Sequence, residues 1–453
     1  MKHLLKTILL TSCTALFTLV SNAQSWNPVG STCFSAGRSW STSLALDPLG
    51  TPYVIYQDSV NGHKATVMKY TPSAGWVTVG SPGFSAGEVD YTSIAIDNSG
   101  IPYVAYRDSV YNLGTTVMKY NGVSWVLVDT PDISGGYVEG TDIVIDGSGT
   151  PYVIFNTSKA SVMKYDGTHF VYVGSPNFSD SIVEWPRMAV DAGGTPYVVY
   201  EDWLLANKAT VMKYNGSSWV NVGSPGFSSG WGYMPYIAID TGGTPYVAYQ
   251  DEGASNYGVT VMKYNGSSWV PVGSPAFSAS EAWFTSIAID RNGTPYVAYC
   301  DTINSWKSTV MKYNGTAWVN VGAPGFSAGE VSYTTIALDS SGIPYVAYAD
   351  WSNDEKVTVM KFGFPAEVKN SADPLSSLTL FPNPTHNTFT IHLATQTNEP
   401  ATITITNILG EKIKQLTATT NTDTQIQLNS PPGIYFISAT TKQGSVNEKI
   451  VME

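Results

Sequence analysis

The stretch Thr51-Pro52-Tyr53-Val54-Ile55-Tyr56-Gln57-Asp58 decides the fold, because it returns six times: IPYVAYRD at 101–108, TPYVIFNT at 150–157, TPYVVYED at 195–202, TPYVAYQD at 244–251, TPYVAYCD at 294–301 and IPYVAYAD at 343–350. Its first tyrosine recurs at intervals of 50, 49, 45, 49, 50 and 49 residues. Within one copy, Tyr103, Ala105 and Arg107 alternate with Val104, Tyr106 and Asp108, the two-residue period of a pleated strand. Both sets contain apolar side chains, so each face of the strand needs a covering layer.

Outward from this octet, every unit holds three further short runs, typified by SIAID, TVMKYNG and SWVNVG, rich in β-branched and aromatic residues. With the octet as the second, they read as strands a to d. The a–b turn is Asp-x-x-Gly, as in Asp97-Asn98-Ser99-Gly100, where a carboxylate accepts backbone N–H bonds and glycine takes the positive φ. The c–d turn is Asn-Gly in four units, a strong hairpin signal. A four-stranded unit of this period fits the blade of a radial propeller, whose sheets are covered on both sides by neighbours. The ends complete each other. Ser25-Trp26-Asn27-Pro28-Val29-Gly30 is a d strand with no a, b or c before it, and the last unit stops at Thr358 to Gly363 without a d strand. The expected fold is therefore all-β: a seven-bladed β-propeller closed by the N-terminal strand. Asp-x-x-Gly followed by PYVAY resembles the NHL-type repeats of seven-bladed propellers, over roughly residues 25 to 365. That resemblance implies architecture and leaves activity open, since propellers host unrelated functions.

Alternating strand direction places the a–b and c–d turns on one rim, and the b–c loops and d–a crossings on the other. The first rim is repetitive. Its aspartates (Asp47, Asp97, Asp146, Asp191, Asp240, Asp290, Asp339) read as turn formers, because one or two carboxylates per loop are too few for calcium. The strand-c lysines, such as Lys69 and Lys361, read as a repeated structural contact with a neighbouring carboxylate. The second rim varies from DSVNGHKA to DWSNDEKV, and divergence inside a repeat marks a binding face. Tryptophan divides the same way. Trp26, Trp76, Trp125, Trp219, Trp269 and Trp318 share one strand-d position, with Phe170 as the seventh, while Trp40, Trp185, Trp203, Trp231, Trp283, Trp306 and Trp351 fall on the variable rim. Tyr91, Tyr111, Tyr233, Tyr257 and Tyr333 join them there. Large rings with polar handles suit sugar faces or protein surfaces. The candidate ligand-binding set is Trp40, Tyr91, Arg107, Trp185, Arg187, Glu201, Trp203, Trp231, Tyr233, Trp283, Trp306 and Trp351.

No catalytic constellation is legible. The four histidines beyond the leader have no metal-ligand spacing, there is no phosphate loop, and no metal or cofactor is expected. The enzymatic alternative is a propeller glycosidase or polysaccharide lyase on anionic sugars, with Arg38, Arg107 and Arg187 as anion binders and Glu184 or Glu201 as acid or base. A purely structural surface protein without small ligand is the third reading. A net charge of −12 over 453 residues argues against nucleic acid, whose backbone needs clustered Lys and Arg.

The termini give an address. Lys2 and Lys6, an apolar run and Ser21-Asn22-Ala23 form the pattern of a secretory signal peptide over residues 1–23. No later run approaches the roughly 18 apolar residues of a membrane helix. Cys33 and Cys300 remain after the leader and are expected to be unpaired more often than bridged. The propeller is assigned to 24–365, a polar linker to 366–377, and a small Ig-like β-sandwich to 378–453, where short strands alternate with turns and neither Trp nor Arg occurs. Phe381-Pro382-Asn383-Pro384, Thr388-Phe389-Thr390-Ile391, Thr406-Asn407-Ile408-Leu409-Gly410-Glu411-Lys412-Ile413, Pro432-Gly433-Ile434-Tyr435-Phe436 and Lys449-Ile450-Val451 follow in order. These resemble the C-terminal sorting domain of the type IX secretion system of Bacteroidota, over about residues 375 to 453. The resemblance implies engagement of that secretion machinery, passage through periplasm and outer membrane, and a secreted or surface-attached product. The expected partner outside the cell is a glycan or protein.

Overall fold

The structure is a computed structural model that describes residues 24–364 and 378–453, apart from 396, 408–410 and 442–443. The expected leader at 1–23 and linker at 366–377 lie outside the described residues. The chain divides into two compact units, Met1–Pro365 and Ala366–Glu453.

The first unit is a seven-bladed β-propeller. Blade 1 sets the pattern with antiparallel strands a (Ser39–Leu46), b (Pro52–Asp58), c (Lys64–Thr71) and d (Gly75–Thr78). The a strands of blades 2 to 7 are Val89–Ile96, Thr141–Ile145, Val183–Val190, Gly232–Ile239, Ala282–Ile289 and Val331–Leu338. Blade 7 takes its d strand from the chain's beginning: Ser25–Pro28 pairs with Lys356–Gly363 in the register Trp26↔Phe362 and Asn27↔Lys361. The b strands are buried on both faces, and each face meets a different neighbour. Tyr53 and Ile55 pack against Val104 and Tyr106 of blade 2, while Val54 and Tyr56 pack against Tyr345 and Ala347 of blade 7. Seven such apolar seams join successive blades around the ring.

Repeated polar contacts fix each seam. Six strand-d tryptophans donate Nε1–H to a valine carbonyl of the preceding blade at 2.7 Å, from Trp76 to Val29 through Trp26 to Val321. Each also stacks on a phenylalanine, as Trp125 does on Phe84 at 4.5 Å. The blade 2–3 seam departs as a set. The Phe170 side chain has no N–H to donate, Ile133 replaces the phenylalanine, and Asp129 occupies the position of Gly80, where its carboxylate accepts from the Phe170 backbone N–H at 2.6 Å.

All seven a–b aspartates act as turn formers, each Oδ1 accepting two backbone N–H groups, as Asp240 does from Gly242 and Thr244. The strand-c lysines correct the expectation of a carboxylate partner. Six of them lie over the first tyrosine of the facing b strand, 4.7 to 6.0 Å from the ring centroid, and only Lys361 also approaches an acid, Asp339 at 3.8 Å. Register explains this: Lys69 stands directly across from Tyr53, and an ammonium over a ring face keeps most of its hydration. Cys33 and Cys300 are both free thiols.

The second unit has two antiparallel sheets. One orders Leu378–Phe381, Thr388–Leu393 and Asp423–Gln427; the other orders Lys412–Thr419, Pro400–Asn407, Gly433–Thr441 and Gly444–Met452. Phe389, Ile391, Ile403, Ile405, Ile437 and Ile450 fill the core, the alternating pattern of a small sandwich.

Candidate functional site

The a strands line the propeller axis, and their first halves differ from their second. In six blades the a–b ladder slips at one place: between Trp40 and Ser43, Asp90 and Ser93, Glu184 and Arg187, Tyr233 and Tyr236, Trp283 and Ser286, and Ser332 and Thr335. Each bulge holds one left-handed residue, Ser41, Tyr91, Trp185, Met234, Phe284 or Tyr333, at φ between 48° and 53°. A non-glycine side chain there costs roughly 1–2 kcal/mol. Such bulges re-aim side chains at barrel rims and sites, and strain of this kind collects where function over-determines it. Neighbouring bulges are stitched together. Thr92 donates its N–H to Ser41 Oγ at 3.0 Å and its hydroxyl to the Ser41 carbonyl, and Thr285 donates to the Met234 carbonyl at 3.2 Å.

These turned residues surround a cavity of about 490 Å³, within the ~300–1,000 Å³ usual for small-molecule sites. Its wall is a run of rings in edge contact: Tyr91 to Trp185 at 6.2 Å, Trp185 to Tyr233 at 6.4 Å and Tyr233 to Trp283 at 5.5 Å. The Tyr91–Trp185 contact joins blades 2 and 4, because blade 3 has only Glu139 and Gly140 at the corresponding positions. Polar lining comes from hydroxyls of Ser43, Ser93 and Thr335 and from Asp90, Asp142, Arg107 and Arg187.

The charged groups differ in commitment. Arg107 donates to Asp90 Oδ2 at 2.6 Å and to the Val138 carbonyl at 3.2 Å, and lies against the Tyr91 and Tyr137 rings at 4.9 and 5.6 Å. Burial is the largest single influence and works against its charge, but the Asp90 bond and charge, with Tyr91 and Tyr137 adding to them, together outweigh it and hold its pKa above the ordinary arginine value. Asp142 accepts from Ser93 Oγ at 2.7 Å and from the Met188 N–H at 3.1 Å. Burial pushes the Tyr236 hydroxyl up to about 12, Asp142 adding to the rise and Arg187 opposing it.

Of the twelve residues expected to bind ligand, the structure gathers Trp40, Tyr91, Arg107, Trp185, Arg187, Tyr233 and Trp283 into this cavity. The other five lie elsewhere. Trp231 backs Tyr233 at 5.5 Å and donates Nε1–H to Glu201 Oε2 at 2.5 Å, and Trp306 lies beside Trp283 at 6.2 Å. Glu201 is fully buried, accepts a second bond from the Met234 N–H at 2.8 Å, and has its pKa pushed up to about 7 by burial, against those two bonds and with Glu184 and Glu252 adding repulsion. Trp203 and Trp351 sit on the outer b–c loops, 59% and 52% exposed. Arg38 pairs with Asp354 at 2.9 Å on the exposed surface. The sequence reading missed Asp142, Met234, Tyr236 and Phe284. Their signal was the contrast between a varying first half of strand a and a repeated second half, IAID or close to it. Among the described residues no group of three or more His, Cys, Asp or Glu side chains is placed to hold a metal ion, and no helix is long and apolar enough to cross a membrane.

No curated protein matches the chain in sequence. Among solved structures it is similar to the Aleuria aurantia lectin in complex with Fucα1-6GlcNAc (16% identity, 64% of this chain and 97% of that one, TM-score 0.43). It is also similar to an ulvan lyase (14%, 76% and 94%, 0.48) and to the Penicillium chrysogenum α-L-arabinanase (11%, 76% and 99%, 0.43). At these identities and scores the likeness is one of chain path alone. Residues 379–453 match the family of secretion system C-terminal sorting domains. The second unit is therefore a type IX sorting domain, and the chain is a seven-bladed β-propeller protein exported by that route to the cell surface or the medium.

Proposed function

We propose that the exported propeller is a binding protein that takes a glycan into the axial cavity of its variable rim. The observation that carries this reading is the run of rings from Tyr91 through Trp185 and Tyr233 to Trp283, converging from four blades on one concave space. Aromatic faces cover the C–H surface of a sugar, while polar groups between them address its hydroxyls. Binding is favoured over turnover by the state of the acids. Asp90 and Asp142 are committed to internal bonds, and Glu201 is buried behind Trp231 with both oxygens occupied. A free carboxyl pair flanking a scissile bond, which glycoside hydrolysis needs, is not assembled among these residues.

Glycan-array screening followed by calorimetry on the full chain tests the reading. Trp185→Ala and Tyr233→Ala should each weaken the best ligand about tenfold or more, while Trp203→Ala and Trp351→Ala leave it unchanged. Equal loss from the two outer tryptophans, or none from the inner pair, would move the site away from the axis.

A further inference from the structure

We infer that the ligand of the axial cavity carries an anionic group, a carboxylate or a sulfate, and that Arg187 seats it; this deepens the proposed function and rests on it. The argument begins with a register position. The fifth residue of strand a, which in the shorter strand of blade 3 is the second, is Ser43, Ser93, Asp142, Arg187, Tyr236, Ser286 or Thr335, depending on the blade. In four blades its oxygen has the same task, accepting a backbone N–H of the next blade: Ile94 to Ser43, Ile143 to Ser93, Met188 to Asp142 and Ile336 to Ser286, at 3.1 to 3.4 Å. A guanidinium has only donors, so Arg187 cannot do this work. It is the only one of the seven side chains at this position with no acceptor atom.

The surroundings of Arg187 do not replace that role. Its guanidinium lines the cavity, lies 5.7 Å from the Tyr236 ring, and makes one long hydrogen bond, 3.4 Å to the carbonyl of Pro186 beside it. Among the described residues it enters no ion pair, whereas Arg107 is held by Asp90. Asp142, which lines the same cavity, is engaged otherwise: its two oxygens accept bonds from Ser93 and Met188. The whole chain contains four arginines, and two of them line this one cavity. A planar fork of donors matches a carboxylate or sulfate by paired bonds. Aromatic walls lower the local dielectric and strengthen that attraction.

The experiment is calorimetry on the full chain with two matched pairs of probes: oligogalacturonate against its carboxyl-reduced form, and a sulfated galactan oligosaccharide against its desulfated form. The wild-type protein should prefer the charged member of at least one pair by about tenfold, with affinity falling as salt rises; the pair showing the preference identifies the group. Arg187→Gln should abolish the preference, the affinity for the charged form falling to that for the neutral one, and Arg187→Lys should keep part of it. Thermal melting of both variants controls for folding. Equal wild-type affinity for charged and neutral forms, or a preference that survives Arg187→Gln, overturns the inference and leaves the saccharide reading standing. Failure of the wild type to bind any saccharide overturns both.

Discussion

The sixth residue of strand b reaches across to the next blade in four successive blades, and its chemistry depends on whether the side chain can donate. Gln57, Arg107 and Asn156 donate to the carbonyls of Val89, Val138 and Val183. Glu201 instead accepts, from Trp231 Nε1 and from the N–H of Met234, one of the left-handed residues beside the cavity. Facing it are Glu184 on the paired strand and Glu252 of the next blade, both acidic, with Ala209 opposite on strand c. A carboxyl raised from 4.5 to about 7 keeps a proton in the folded state that the unfolded chain has already released. Stability should therefore fall as pH rises from about 4.5 to 7, by on the order of 3 kcal/mol, and level off above. Glu201→Gln keeps an acceptor and removes the titration, so its denaturation midpoint should lose this component of the pH dependence. A variant whose profile from pH 5 to 8 parallels the wild type would assign the effect to other groups.

Blade seams show how elements constrain one another. Gly80, just after strand d of blade 1, has φ +73°, and a Cβ there would stand 3.1 Å from Trp125 and 3.2 Å from Tyr120 of blade 2. The tryptophan whose indole N–H binds the Val79 carbonyl thus dictates glycine in the preceding blade. At the one seam where phenylalanine replaces tryptophan, Asp129 replaces glycine. Gly80→Ala should cost roughly 1–3 kcal/mol, from backbone strain plus overpacking, in chemical denaturation. A neutral result would show that the seam has slack. This coupling was invisible in the sequence because Asp129 and Phe170, 41 positions apart, explain each other only once strand d of one blade lies against the next.

At the scale of the molecule, much was legible because the repeat repeats its reasons: the PYVAY alternation, the Asp-x-x-Gly turns and the orphan strands at each end all followed from residue types. The cavity was half legible. Aromatic residues on the variable rim were visible as a class, but the sequence could not say that bulged strands turn Tyr91, Trp185 and Tyr233 toward the axis while Trp203 and Trp351 stay on the outer loops. That sorting depends on left-handed backbone at one position in six of the seven blades, which no composition signals when the residue is not glycine. Ring closure itself can be tested. Trp26 donates to Val321 and stacks on Phe326 at 4.2 Å, so Trp26→Ala should cost about 3–5 kcal/mol, as much as the same change at an internal blade such as Trp125. A markedly smaller loss at Trp26 would mean that the latch adds little to the ring.

The pairing of Ser25–Pro28 with Lys356–Gly363 also sets an order of events. Strand Ser25–Pro28 waits for the last described strand of its own domain, more than 300 residues later. Until then the blade 7 c strand presents an unpaired edge, the feature that recruits other chains into misassembly. Closure therefore waits until residues 25–28 and 356–363 have both been made and have met. A protease that trimmed the leading peptide in transit would leave a seven-blade assembly permanently ajar.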